Sequence, residues 1–152
     1  MKLHVPFVRS LKKWKGKGWC GPYALASILR YYGDKSAVED IAKVARSPKT
    51  GGTSPEGLVY FCLKQGLAVE FVYRYRSFSL YREDYSARLK KFYTDFGSKK
   101  YHQHFMPQCQ TYPLFILREK SPTMKDIEKF IDSGRPVLLY INIAIPMGGE
   151  EL

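Results

Sequence analysis

Trp19-Cys20-Gly21-Pro22-Tyr23-Ala24-Leu25-Ala26-Ser27-Ile28-Leu29-Arg30-Tyr31-Tyr32-Gly33 is the stretch on which the reading of this chain turns. Leu25, Ile28, Leu29 and Tyr32 recur at i, i+3, i+4 and i+7, which lays one apolar stripe along a helix. Pro22 falls in the first turn, where its missing N–H costs little, and Gly33 supplies a stop. The spacing predicts a helix over 20–32 with a cysteine at its first position. A thiol there faces unpaired backbone N–H groups and the positive end of the helix dipole. Both favour thiolate, the nucleophilic form of cysteine. Backbone N–H groups at the same helix start can hold the oxyanion formed when sulfur attacks a carbonyl. Gly21 is expected to leave room beside the sulfur for a substrate backbone. Against this stands a plain alternative, since cysteine is among the most often buried residues and a lone one in a helix usually belongs to the core.

Downstream, Ser36 and Glu39 have the spacing of a capping box, and Val38, Ile41, Ala42 and Ala45 repeat the helical period. A loop with Pro48, Gly51 and Gly52 leads to Thr53-Ser54-Pro55-Glu56, a helix-opening signal. The helix that follows turns Leu58, Phe61 and Cys62 inward and stops at Gly66; residues 67–73 alternate as a strand should. Tyr85, Leu89, Phe92 and Phe96 are spaced for an amphipathic helix, whereas 99–110 shows no clear period and Cys109 receives no role. Leu114 to Leu117 reads as a short strand, and Pro122, Met124, Ile127, Phe130 and Ile131 as a helix ending at Gly134. The apolar run from Pro136 to Ile145 predicts a strand buried on both faces, and Val5 to Val8 a short first strand.

Composition fits one globular domain over 1–152, with 45% hydrophobic and 15% aromatic residues and no run long enough to span a bilayer. The first residues lack the apolar core of a secretory signal, which predicts a cytoplasmic protein. Three widely spaced cysteines, Cys20, Cys62 and Cys109, fit neither a disulfide scaffold nor a structural zinc site. The net charge of +11 is concentrated early: Lys2, Arg9, Lys12, Lys13, Lys15, Lys17 and Arg30 all precede the first acid, Asp34. Nucleic acid or acidic lipid could meet such a stretch, but a solvated lysine-rich loop is the better reading and no nucleic-acid motif accompanies it.

The segment Trp19 to Gly33 closely resembles the nucleophile helix of the C39-like peptidases, the family of the leader-cleaving domains of bacteriocin exporters. Gly52-Thr53-Ser54-Pro55 with Leu58 and Gly66-Leu67 resembles the family's second helical unit and the strand after it. Lys125 to Phe130 with Gly134-Arg135-Pro136-Val137 resembles its later helix and central strand, which leaves about 75–112 as an insertion. The resemblance implies an α+β fold of the papain-like cysteine peptidase type and thiol-dependent cleavage of a peptide or related amide by Cys20. No cofactor is expected, and no metal site. The family's oxyanion glutamine before the cysteine has no counterpart here; Ser10 stands near that place. The family's histidine lies on the strand after the one matching Val137 to Ile145, and the chain reaches Leu152 before such a strand. The papain-like fold is therefore expected without its C-terminal histidine-bearing strands.

His4, His102 and His104 are the histidines within the chain, and packed or solvated roles suit all three better than a metal site or a base for Cys20. Three functions follow as expectations. The first is a cysteine peptidase whose histidine and acid lie beyond Leu152. The second is an inactive C39-like domain that binds a peptide or protein partner. The third, carried by charge alone, is a nucleic-acid-binding domain.

Overall fold

The computed structural model describes residues 2–9, 19–47, 53–73 and 99–139. The loop at 48–52, the helix expected around Tyr85 to Phe96 and the part of the last strand beyond residue 139 lie outside these residues. Three helices come first: α1 (Cys20–Tyr31), α2 (Val38–Val44) and α3 (Pro55–Lys64). Strand β1 (Val69–Tyr73), helix α4 (Lys99–Cys109), strand β2 (Phe115–Glu119) and helix α5 (Met124–Asp132) follow. The chain is thus α+β, with a helical layer and a two-stranded sheet. β1 and β2 run parallel, Val69 opposite Phe115 and Phe71 opposite Leu117. A parallel pair needs a crossover, and α4 lies within it.

α3 is the hub because it is apolar on two nearly opposite sides. Leu58 and Phe61 join Leu25, Ala26 and Leu29 of α1 and Val38, Ile41 and Ala45 at α2 in one buried cluster. Val59 and Leu63 face the other way and pack with Cys109, with Val69, Phe71, Tyr112 and Phe115 around them. Each large side chain buried in this way contributes about 1.5 to 3 kcal/mol relative to exposure. Gly57 brings α3 against the end of α2, since a Cβ there would lie 2.6 Å from the Ala45 carbonyl oxygen. Gly33, Gly66 and Gly134 follow α1, α3 and α5 with φ of 80°, 78° and 77°, as their spacing predicts.

Several expectations need correction. α2 starts after Ala37 and has no side-chain cap, so Ser36 and Glu39 form no capping box. Ser36 belongs instead to the turn after α1: its N–H donates to Asp34 Oδ1 at 2.6 Å, and Arg30 donates to the carbonyls of Asp34 and Ser36. Hydrogen bonds from Ser36 hold the Asp34 carboxyl below the usual range. Residues 99–109 form α4, continuous through Pro107, with Phe105, Met106 and Cys109 buried, Phe105 and Cys109 against α3. Val5 to Val8 form no strand; Val8 N–H donates to Ser27 Oγ at 3.1 Å and its side chain packs on α1. Residues 136–139 join no strand, and Leu138 and Leu139 are exposed rather than buried on two faces.

Candidate functional site

Cys20 is the first residue of α1 and is exposed, whereas Pro22 behind it is fully buried. Trp19 occupies the cap position with no side-chain cap, and its carbonyl accepts from Tyr23 N–H at 3.0 Å. Because Pro22 has no N–H, the backbone donors at this end that stay outside the helix's own ladder are those of Cys20 and Gly21. The first turn carries no acidic residue. An exposed thiol therefore sits at a positive helix end that carries no acid in its own first turn, with N–H groups beside it.

The start of α3 lies next to it. A Cβ on Gly21 would meet Leu58 Cδ1 at 3.0 Å and Thr53 Cβ at 3.3 Å. Gly21 is thus consumed by the packing of α1 on α3, which corrects the expectation that it leaves room for substrate. Thr53, buried there, shares a 2.7 Å hydrogen bond between its hydroxyl and that of Ser47. Ser54 caps α3 and also donates to Glu56 Oε2 at 2.6 Å.

The three thiols have different settings. Burial pushes the Cys62 thiol up to about 12. Burial, with the nearby Glu56 charge, pushes Cys109 up to about 11. Cys62 and Cys109 are therefore apolar filling at neutral pH, as expected for Cys62, while Cys109 turns out to be a core residue of α4. All three are free thiols.

His102 and His104 are engaged by side chains and backbone of α3 and α4. His4 is exposed in the segment 2–9. His102 Nδ1 donates to Glu56 Oε1 at 3.2 Å, and Glu56 is itself buried. Glu56 points to the side of α3 that α4 covers, and Gly21 packs on the opposite side, against Leu58. His104 is held by Gln108, one turn on, and packs edge-on against Phe105. Among the described residues Cys20 Sγ has no hydrogen bond to a histidine, and no three His, Cys, Asp or Glu side chains are grouped to hold a metal. The Glu56–His102 pair escaped sequence reasoning: Glu56 reads as an ordinary first-turn acid, and only its placement under α4 reveals a histidine partner. Ser10 and the basic stretch around it lie outside the described residues.

A scan against protein-family models and searches of curated proteins and of solved structures found no match to this chain. No helix among the described residues is long and apolar enough to cross a membrane.

Proposed function

We propose that this chain is a papain-like thiol hydrolase domain of C39-like type, in which Cys20 attacks the carbonyl carbon of a peptide or related amide. One observation carries the reading: an exposed thiol opens a helix whose first turn has neither an acid nor a side-chain cap. In the reaction a base takes the thiol proton and sulfur adds to the carbonyl carbon. The oxyanion of the tetrahedral adduct meets the Cys20 N–H and the helix dipole. Collapse breaks the C–N bond, the leaving amine takes a proton, and water then hydrolyses the thioester to acid and free thiol. A reducing, cytoplasmic setting belongs to the same proposal and is supported by three free thiols.

A second reading is a C39-like domain that binds a peptide without cutting it. The engagement of His102 with Glu56, across α3 from Gly21, favours it. Incubation with a peptidyl vinyl sulfone, followed by mass spectrometry, and turnover of a mixed peptide library test the two together. Adduct on Cys20 with hydrolysis supports the hydrolase. Peptide-protected Cys20 without hydrolysis supports the binding domain. No adduct at Cys20 and no protection by any peptide overturns both.

A further inference from the structure

We propose that the groove between α2, α3 and α4 binds a small phosphorylated ligand through a chain of two or more phosphoryl groups. The groove is open to solvent and holds about 640 Å³, within the range of about 300 to 1,000 Å³ typical of small-molecule sites. It lies on the α4 side of the molecule, apart from Cys20, and does not depend on the hydrolase reading.

Its walls are cationic. Lys43 and Arg46 come from the end of α2 and Lys64 from the end of α3, against one acid, Asp40. Among the described residues none of the three cations lies within 4 Å of a carboxylate. The Lys64 ammonium rests 5.7 Å from the centre of the Tyr60 ring, which keeps it on the groove wall. Lysines in a last helical turn commonly serve the negative end of the dipole. Here most of the last-turn carbonyls already have backbone donors: Ala45, Arg46 and Ser47 N–H groups serve Ile41, Lys43 and Ala42, and Gln65, Gly66 and Leu67 N–H groups serve Phe61, Leu63 and Cys62. Two partial dipole charges do not cancel three full cations.

One further feature points the same way. Arg46 holds a φ of 52°, a left-handed position where glycine would sit without strain. Its guanidinium suits bidentate contact with phosphate oxygens, as an ammonium does not. On the third wall, Gln108 Nε2 sits 3.3 Å from His104 Nε2 and also donates to the His104 carbonyl. An oligophosphate, with several negative charges in one short chain, matches three cations gathered on one groove.

Nucleotides and inorganic polyphosphates share this chemistry, so calorimetry on the full chain should use ATP, tripolyphosphate, adenosine and hexaglutamate. Saturable, salt-sensitive binding of tripolyphosphate and ATP, with adenosine and hexaglutamate silent, is expected. Equal affinities would assign the phosphate chain alone as the ligand, and tighter ATP a nucleotide. Lys43→Ala with Lys64→Ala should weaken binding by about tenfold or more, and Arg46→Gly should weaken it without loss of fold. Lys125→Ala, which removes one exposed charge from α5, is the control. No saturable binding, equal weakening by Lys125→Ala, or hexaglutamate binding as tightly would overturn the proposal.

Discussion

Two helix starts lie side by side in this molecule and are equipped in opposite ways. α3 begins with Ser54 as a side-chain cap, Pro55 next, and Glu56 in the first turn, directly after buried Thr53. α1 begins with Cys20 in the open, no side-chain cap and no acid. α2 and α5 resemble α3 here, for each has acids in its first turn, and α5 adds a complete capping box of Thr123 and Asp126. The contrast separates two uses of the same backbone physics. Where the positive helix end is neutralised by a carboxylate, it stabilises the fold. Where its first turn carries no acid beside a thiol, it is available to a thiolate or an oxyanion.

The contrast breaks most completely with Cys20→Ser. This substitution should abolish capture by a peptidyl electrophile while shifting stability by less than about 0.5 kcal/mol, checked by mass spectrometry and urea melts. A stability loss as large as that of a core residue would mean that the sulfur packs rather than reacts. On the α3 side, Gly57→Ala forces a methyl group to within 2.6 Å of the Ala45 carbonyl oxygen. It should cost about 3 kcal/mol or more without slowing alkylation of the remaining folded protein. Ser54→Ala, which removes the cap, should cost about 1 kcal/mol.

Giving α1 what α3 has sharpens the point. Ala24 is exposed one turn below Cys20, on the same helical face. Ala24→Glu should slow alkylation of Cys20 by about two- to fivefold through the dipole, with Ala24→Gln as the uncharged control. Equal rates for the two variants would show that helix-end charge does not matter here.

The pH dependence follows from the buried groups. Cys62 and Cys109 stay protonated in the fold to about 12 and about 11, whereas the unfolded chain releases those protons near 9. The folded state therefore binds more protons above that point, and stability should fall as pH rises from about 9 towards 11. Urea melts across that window, repeated with Cys62→Ala, measure it; a flat profile would contradict the burial of the two thiols. The smallest effect lies at Asp126, where hydrogen bonds from Lys120 and Thr123 lower the carboxyl to about 2. Its contribution is present above the ordinary value of 3.8 and is lost as pH falls towards 2. A carbon-detected NMR titration should follow it, and Asp126→Asn should remove that acid-limb contribution.

The elements that could be read from the sequence are those in which period and punctuation agree. In α1, α3 and α5 the apolar spacing runs straight into a glycine stop, and their observed ends lie within about two residues of the expected ones. α4 was hidden because its composition argues against it: Lys99, His102, Gln103 and His104 dilute the apolar signal, and Pro107 reads as a breaker. The faint clue was Tyr101, Phe105 and Cys109 at four-residue spacing, which the packing of Phe105 and Cys109 on α3 turns into a buried stripe. Ser36 and Glu39 satisfy the capping-box spacing, yet the turn after α1 claims Ser36 first, through Asp34 and Arg30. At the candidate site, the position of Cys20 on the first turn could be read from one segment. The second use of Gly21 and the Glu56–His102 pair could not, since both depend on what lies across α3.

The most direct test uses the protein as its own reference. Iodoacetamide labelling of Cys20 is timed at slightly acidic pH in the folded chain and again in urea, with each cysteine followed by mass spectrometry. Folding should accelerate alkylation of Cys20 by about tenfold or more while shielding Cys62 and Cys109. If unfolding instead accelerates Cys20, or leaves its rate unchanged, the acid-free helix start does not activate the sulfur.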